Sequence, residues 1–160
     1  MIMKKFLILI GFSLLAILLQ LVVAPWLSIQ GIKPDFILVL IMFVAILYGR
    51  VYGQLYGFGL GLIIDMIGIG SFLGLSAMVK TFAGFLAGYL KGRRNRFNSF
   101  TLYTFTCFII FFHYLIFFLI NFHSTDYSIQ FLVVRYILPE TIYTSVLFIV
   151  FDYILSLNND

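Results

Sequence analysis

The sequence predicts an all-α integral membrane protein: a bundle of six transmembrane helices joined by short loops, with both termini cytoplasmic. Three observations lead there. Of 160 residues, 63% are hydrophobic and only 10% charged, where a soluble domain carries about 25% charged residues; the mean hydropathy is +1.14. Apolar runs of span length alternate with short polar breaks, and at about 20 residues per crossing the chain has no room for a separate soluble domain. Residues 1–160 are therefore expected to form a single membrane domain. Finally, basic residues gather in alternate loops.

The first helix is expected over 6–23. Lys4 and Lys5 precede an uninterrupted apolar run, as in a signal peptide. The run is too long for a signal h-region and continues into Ala24-Pro25-Trp26, so it reads as a retained span. Pro25, Gly31 and Pro34 mark 25–35 as a break, and Trp26 suits the interfacial aromatic belt. The second helix, 36–48, is short for a span at about 1.5 Å per residue, which implies that part of the preceding segment dips into the membrane. Gly49-Arg50 closes it. The third helix covers 51–66, a glycine-rich turn follows, and the fourth covers 72–90 before the basic run Lys91 to Arg96. The fifth spans 99–121, rich in phenylalanine that suits lipid contact or packing. The sixth spans 131–155 and carries Pro139, which removes a backbone hydrogen bond and tends to kink a helix.

Six crossings place both termini on one side, together with Lys4, Lys5, Arg50, Lys91, Arg93, Arg94 and Arg96. Only Lys33 and Arg135 fall on or near the other side. Positive charge in short loops marks the cytoplasmic face, so the net charge of +4 expresses topology and not nucleic-acid binding. The run Lys91, Arg93, Arg94 and Arg96 also fits anionic lipid head groups or an acidic cytoplasmic protein.

Glycines recur at helical spacing. Gly53, Gly57, Gly61 and Asp65 form one stripe; Lys80, Gly84, Gly88 and Gly92 form another. Residues four apart share a helical face. Pairing Gly53 with Gly92, Gly57 with Gly88, Gly61 with Gly84 and Asp65 with Lys80 gives one index sum, 145, as facing positions of an antiparallel hairpin require. The fold-back would fall near Phe72. Small residues at such a seam let membrane helices approach, because lipid provides no hydrophobic drive between them.

An isolated charge in the bilayer centre costs from about 3 to more than 10 kcal/mol, and an Asp65–Lys80 pair relieves both. A proton or ion relay is one reading. A neutral pair fixing helix register is favoured, since no chain of further acids leads away. Glu140 shares a face with Tyr136 and Tyr143 and is a candidate partner for Lys80, Arg135, a tyrosine or a ligand. Asp35, directly after Pro34, suits capping of the second helix or a partner contact. Asp152 reads as solvated beside the Arg93 to Arg96 loop. Cys107 has no partner for a disulfide. His113 and His123 stand without matching acids or thiols, so no metal site or cofactor is expected. HExxH, GxSxG, Walker and CxxC motifs are all missing from the sequence, and the reading is non-enzymatic.

The order of features over roughly 30–95 resembles the MreD family of rod shape-determining membrane proteins. It runs Pro34-Asp35, Gly49-Arg50, then Gly53, Gly57, Gly61 and Asp65, then Phe72-Leu73-Gly74, and Gly84 to Gly88 before the basic loop. The resemblance implies a scaffold in the bacterial inner membrane that works with the single-span protein MreC. It further implies a machinery for cell-wall elongation holding an actin-like filament, a RodA-type glycosyltransferase and a penicillin-binding transpeptidase. The competing expectation is a substrate-binding component of an energy-coupling-factor vitamin transporter, which has similar size and helix count. Those proteins usually dock through a small-xxx-small pattern in the first helix; here Gly11, Ala16 and Gln20 do not provide one. The outer loops offer only Trp26, His123 and Asp126 as obvious contacts.

Overall fold

A computed structural model describes residues 2–67, 72–93 and 97–157, with side chains over 7–67, 72–93 and 97–155. Six principal helices follow in chain order: α1 (Ile2–Leu18), α2 (Phe36–Tyr48), α3 (Arg50–Met66), α4 (Leu75–Ala87), α5 (Ser99–Asn121) and α6 (Leu138–Leu157). The described residues form no strand. Three stretches, Leu7–Trp26, Ser99–Asn121 and Ile129–Leu155, are long and apolar enough to cross a membrane; Phe36–Tyr48 and Leu75–Leu90 are shorter apolar helices.

Both long proline-containing spans are widened just before the proline. Helix α1 passes into a π-turn over Leu19–Val23 and resumes as Ala24–Trp26, where Ala24 N–H bonds Leu19 O. The last span opens at Ile129–Leu132, passes through a π-turn over Val133–Ile137 and continues as α6, where Leu138 N–H bonds Val133 O. Pro25 and Pro139 each follow the π-turn by two residues. A proline ring presses on the carbonyl four residues back and donates no hydrogen bond, and a wider turn relieves both problems. The expected break at Pro25 is therefore displaced: the helix runs through it to Trp26.

Helix α2 is the centre of the bundle. It has no polar face, and nine of its thirteen residues are buried, as expected of a helix that is apolar all round. One side packs Ile37 and Ile41 with Ala16 of α1 and Leu60 and Ile64 of α3. The other packs Leu38, Met42 and Ala45 with Ala83, Ile110 and Phe148 of α4, α5 and α6. Its 13 residues measure about 20 Å, less than a bilayer core, which such a central position accommodates. Gly49, at φ 99°, ends α2 and starts α3 within one residue, a conformation that costs a glycine little. Outside, Leu7, Phe12 and Leu14 of α1, Leu55 and Phe58 of α3 and Phe108 of α5 are exposed, an apolar surface suited to lipid.

The hairpins alternate in direction, so the bundle has two distinct ends. At one, Arg135 Nη2 donates to Gln30 O over 2.9 Å and Tyr143 OH to Leu27 O over 3.1 Å, and the Phe72 and His123 rings meet at 5.9 Å. At the other, Lys91 Nζ donates to Tyr48 O over 2.8 Å and Tyr103 OH to Asp152 Oδ2 over 3.1 Å. Loops that alternate in the sequence thus share an end.

Candidate functional site

Helices α3 and α4 lie backbone to backbone. A Cβ on Gly53 would stand 2.5 Å from Gly84 O, and one on Gly61 2.5 Å from Ala77 Cα. Gly57 abuts the Lys80 carbonyl, Gly84 the Gly53 carbonyl and Gly88 the Arg50 backbone. No side chain fits between these helices, which is why glycine occupies the stripe.

The register differs from the expected one. Facing pairs such as Gly53 with Gly84 and Gly57 with Lys80 have an index sum of 137 instead of 145, so the fold-back moves by four residues, half the difference. Matching glycine to glycine and acid to base fixed the expected sum, whereas the backbones meet wherever one partner is glycine. Gly92 consequently leaves the seam. It lies beyond the last helical turn with φ 68° and nothing within 4 Å of an added Cβ.

The same shift separates Asp65 from Lys80. Asp65 sits at the end of α3 and receives the opening of α4: Gly74 N–H at 2.9 Å and Ala77 N–H at 3.1 Å on Oδ2, and Ser76 N–H at 3.3 Å on Oδ1. It satisfies the unpaired N–H groups at a helix start from another helix, and its negative charge meets the positive end of the dipole. Lys80, one turn further along α4 and 4% exposed, pairs instead with Asp35 Oδ2. Asp35 is the N-cap of α2; its Oδ1 accepts from Leu38 N–H at 2.7 Å. The carboxylate thus serves a helix end and a buried ammonium together.

Three further helices close on this pair. From α1's π-turn, Gln20 Oε1 accepts Phe36 N–H at 2.8 Å, and from α6 Thr144 Oγ1 accepts Asp35 N–H at 3.3 Å. Tyr114 of α5 bonds Thr144 at 2.7 Å, and buried His113 Nε2 lies 4.0 Å from Asp35 Oδ2. A cleft of about 250 Å³ beside the cluster is lined by Gln20, Lys33, Asp35, Lys80, His113 and Glu140, among others. Glu140 lines the same cleft, where Lys80 pairs with Asp35; Arg135 bonds Gln30 O and lies 5.4 Å from the centre of the Tyr136 ring. His113 stands not alone but against this acid.

A family model for the rod shape-determining protein MreD matches residues 2–157, nearly the whole chain. The chain belongs to the MreD family. No curated protein and no solved structure matches it. Membership brings a role in rod shape determination, and the family is one of shape-determining membrane proteins with no known enzymatic activity.

For this MreD family member, the arrangement around Asp35 is a brace: one carboxylate, one ammonium and a set of hydroxyl, amide and backbone groups joining α1, α2, α4, α5 and α6. Asp35, Lys80, Gln20, Thr144 and Tyr114 each have a neighbour of matching chemistry there, which offsets the cost of removing them from water; buried His113 Nδ1 has no hydrogen-bond partner among the described residues. Gln20, Tyr114 and Thr144 were missed in the sequence reading. The available signal was weak: Gln20 is the one amide within the first apolar run, and Thr141, Thr144 and Ser145 sit together and buried on α6.

At the opposite end Asp152 is 3% exposed and accepts from Tyr103 OH, so the solvated reading is corrected; α5 covers it. Lys91, Arg93 and Arg50 are exposed around a second cleft. Arg94 and Arg96, and the side chains of Lys4 and Lys5, lie outside the described residues.

Proposed function

We propose that this chain is a non-enzymatic, multi-pass scaffold of the bacterial inner membrane within the cell-wall elongation machinery, and that it holds an MreC-like single-span partner. The observation that carries the reading is how the intramembrane charges are used. Asp65 and the Asp35–Lys80 pair are engaged in holding helices α2, α3 and α4 together, which suits a rigid support. Membership of a rod shape-determining family supports the process. With short loops and an outer surface of exposed leucine, isoleucine and phenylalanine, most contact area available to a partner is helix in lipid. Such faces associate through shape and small residues. The stretch Leu7–Trp26 is the least covered of the three long apolar stretches, with only 11% of its most apolar part buried.

A RodA-type glycosyltransferase, a penicillin-binding transpeptidase and an actin-like filament are further proposed neighbours. The basic residues Lys91, Arg93, Arg94 and Arg96 are proposed to face anionic lipid on the cytoplasmic side. The test is affinity purification of the full chain from membranes. Recovery of a single-span MreC-like protein at comparable stoichiometry is expected. Recovery without it, with a vitamin retained tightly in the 250 Å³ cleft, would replace the scaffold with the transporter-component reading.

A further inference from the structure

The two clefts differ in charge. Beside Asp35 the lysine is neutralised. At the end that holds Tyr48 and Lys91, a cleft of about 420 Å³ is lined by Arg50, Lys91 and Arg93, three tyrosines and two glycines, with no acidic residue among the described residues. It is built by the glycine seam. Because Gly88 has no side chain, the backbone of Arg50 rests directly on α4. That contact brings the Arg50 guanidinium over the Tyr89 ring, 4.1 Å from its centre. Because Gly49 has none either, the Lys91 stem passes where a Cβ would stand, 2.8 Å from Cδ. Its ammonium then reaches Tyr48 O, a free carbonyl at the end of α2. Two cations are thus held against aromatic and backbone groups and keep further donors free, Arg50 in its planar fork and Lys91 in its remaining N–H bonds. Arg93 is exposed at the same cleft.

We propose that this cleft binds the phosphate of an anionic phospholipid head group. Guanidinium and ammonium groups recognise phosphate by charge-assisted hydrogen bonds, and flanking tyrosines suit the depth of the glycerol and head-group layer. Lipid is favoured over a soluble phosphate because Val51 and Tyr52, on the same rim, belong to the exposed apolar flank of α3, along which an acyl chain would lie. The proposal rests on the reading that Lys91 and Arg93 face anionic lipid in a membrane but not on any protein partner, so a failed purification of an MreC-like protein leaves it standing.

The experiment is native mass spectrometry of the full chain released from neutral detergent, supplied with phosphatidylglycerol, phosphatidylcholine or inorganic phosphate. Retention of phosphatidylglycerol over phosphatidylcholine is expected, falling roughly fivefold for each charge removed in Arg50→Gln and Lys91→Gln. Lys33→Gln, at the other end of the bundle, should leave it unchanged. Helicity and elution volume verify folding, and Arg93→Gln, whose side chain is exposed, serves if Arg50→Gln does not fold. Equal retention of both lipids, or folded variants that retain phosphatidylglycerol like the parent, would overturn the proposal. So would inorganic phosphate displacing the lipid at equal concentration, which would assign the cleft to a soluble phosphate.

Discussion

Lys80 reaches out of its own hairpin to Asp35, the residue that caps α2. The pair ties the central helix to the glycine seam at the level where Gly57 abuts the Lys80 carbonyl. Close backbone approach and charge neutralisation are therefore one device: the seam brings α4 near enough to α2 for a lysine to span the gap, and the pair prevents α4 from sliding.

Glycine at the seam should be irreplaceable even though alanine favours helix. Gly53→Ala or Gly84→Ala places a methyl against facing backbone and should cost about 1–3 kcal/mol. Gly59→Ala, on the same helix with open space around it, should gain about 0.5–1 kcal/mol from propensity alone. Thermal unfolding in detergent reads both. Equal effects at Gly53 and Gly59 would remove the seam.

Asp65 acts on α4 from a distance in sequence. Asp65→Ala leaves the Gly74, Ser76 and Ala77 amides without their acceptor and should cost about 1–3 kcal/mol. Asp65→Asn, which retains one acceptor oxygen, should cost less. Hydrogen exchange at Ser76 and Ala77 should accelerate in both. Unchanged exchange there would show that the carboxylate caps nothing.

Thr144 links the turn before α2 to α5. Thr144→Val preserves shape but removes the hydroxyl shared by Asp35 N–H and Tyr114, at about 1–3 kcal/mol. Thr144→Ser should recover most of that. A serine variant no better than valine would mean that restoring the hydroxyl alone does not restore the link.

Parts of this were legible in the chain. The six-helix architecture followed from hydropathy, and the stripe at Gly53, Gly57 and Gly61 announced a close helix contact because only a backbone–backbone approach needs repeated glycine. The register did not follow, because a stripe records which residues face a neighbour and not which neighbour they face. Gly88 opposes Arg50 as well as it would another glycine. The partner of Lys80 was hidden for a related reason: Asp35 lies 45 residues away, and nothing in α2's uniform apolarity shows which side turns toward α4. Asp152 looked solvated near a basic loop, yet Tyr103 of the neighbouring helix covers it. Polar contacts made between helices that are distant in sequence leave no local period to read.

The most direct test of the central claim is a pair of double-mutant cycles on unfolding free energy in detergent. Breaking a buried ion pair from one side costs about 3–5 kcal/mol. Asp35→Asn and Lys80→Met should therefore each destabilise strongly, and their combination should be less harmful than their sum by at least about 1.5 kcal/mol. Asp65→Asn with Lys80→Met should add within about 0.5 kcal/mol. Strong coupling to Asp65 and none to Asp35 would contradict the account.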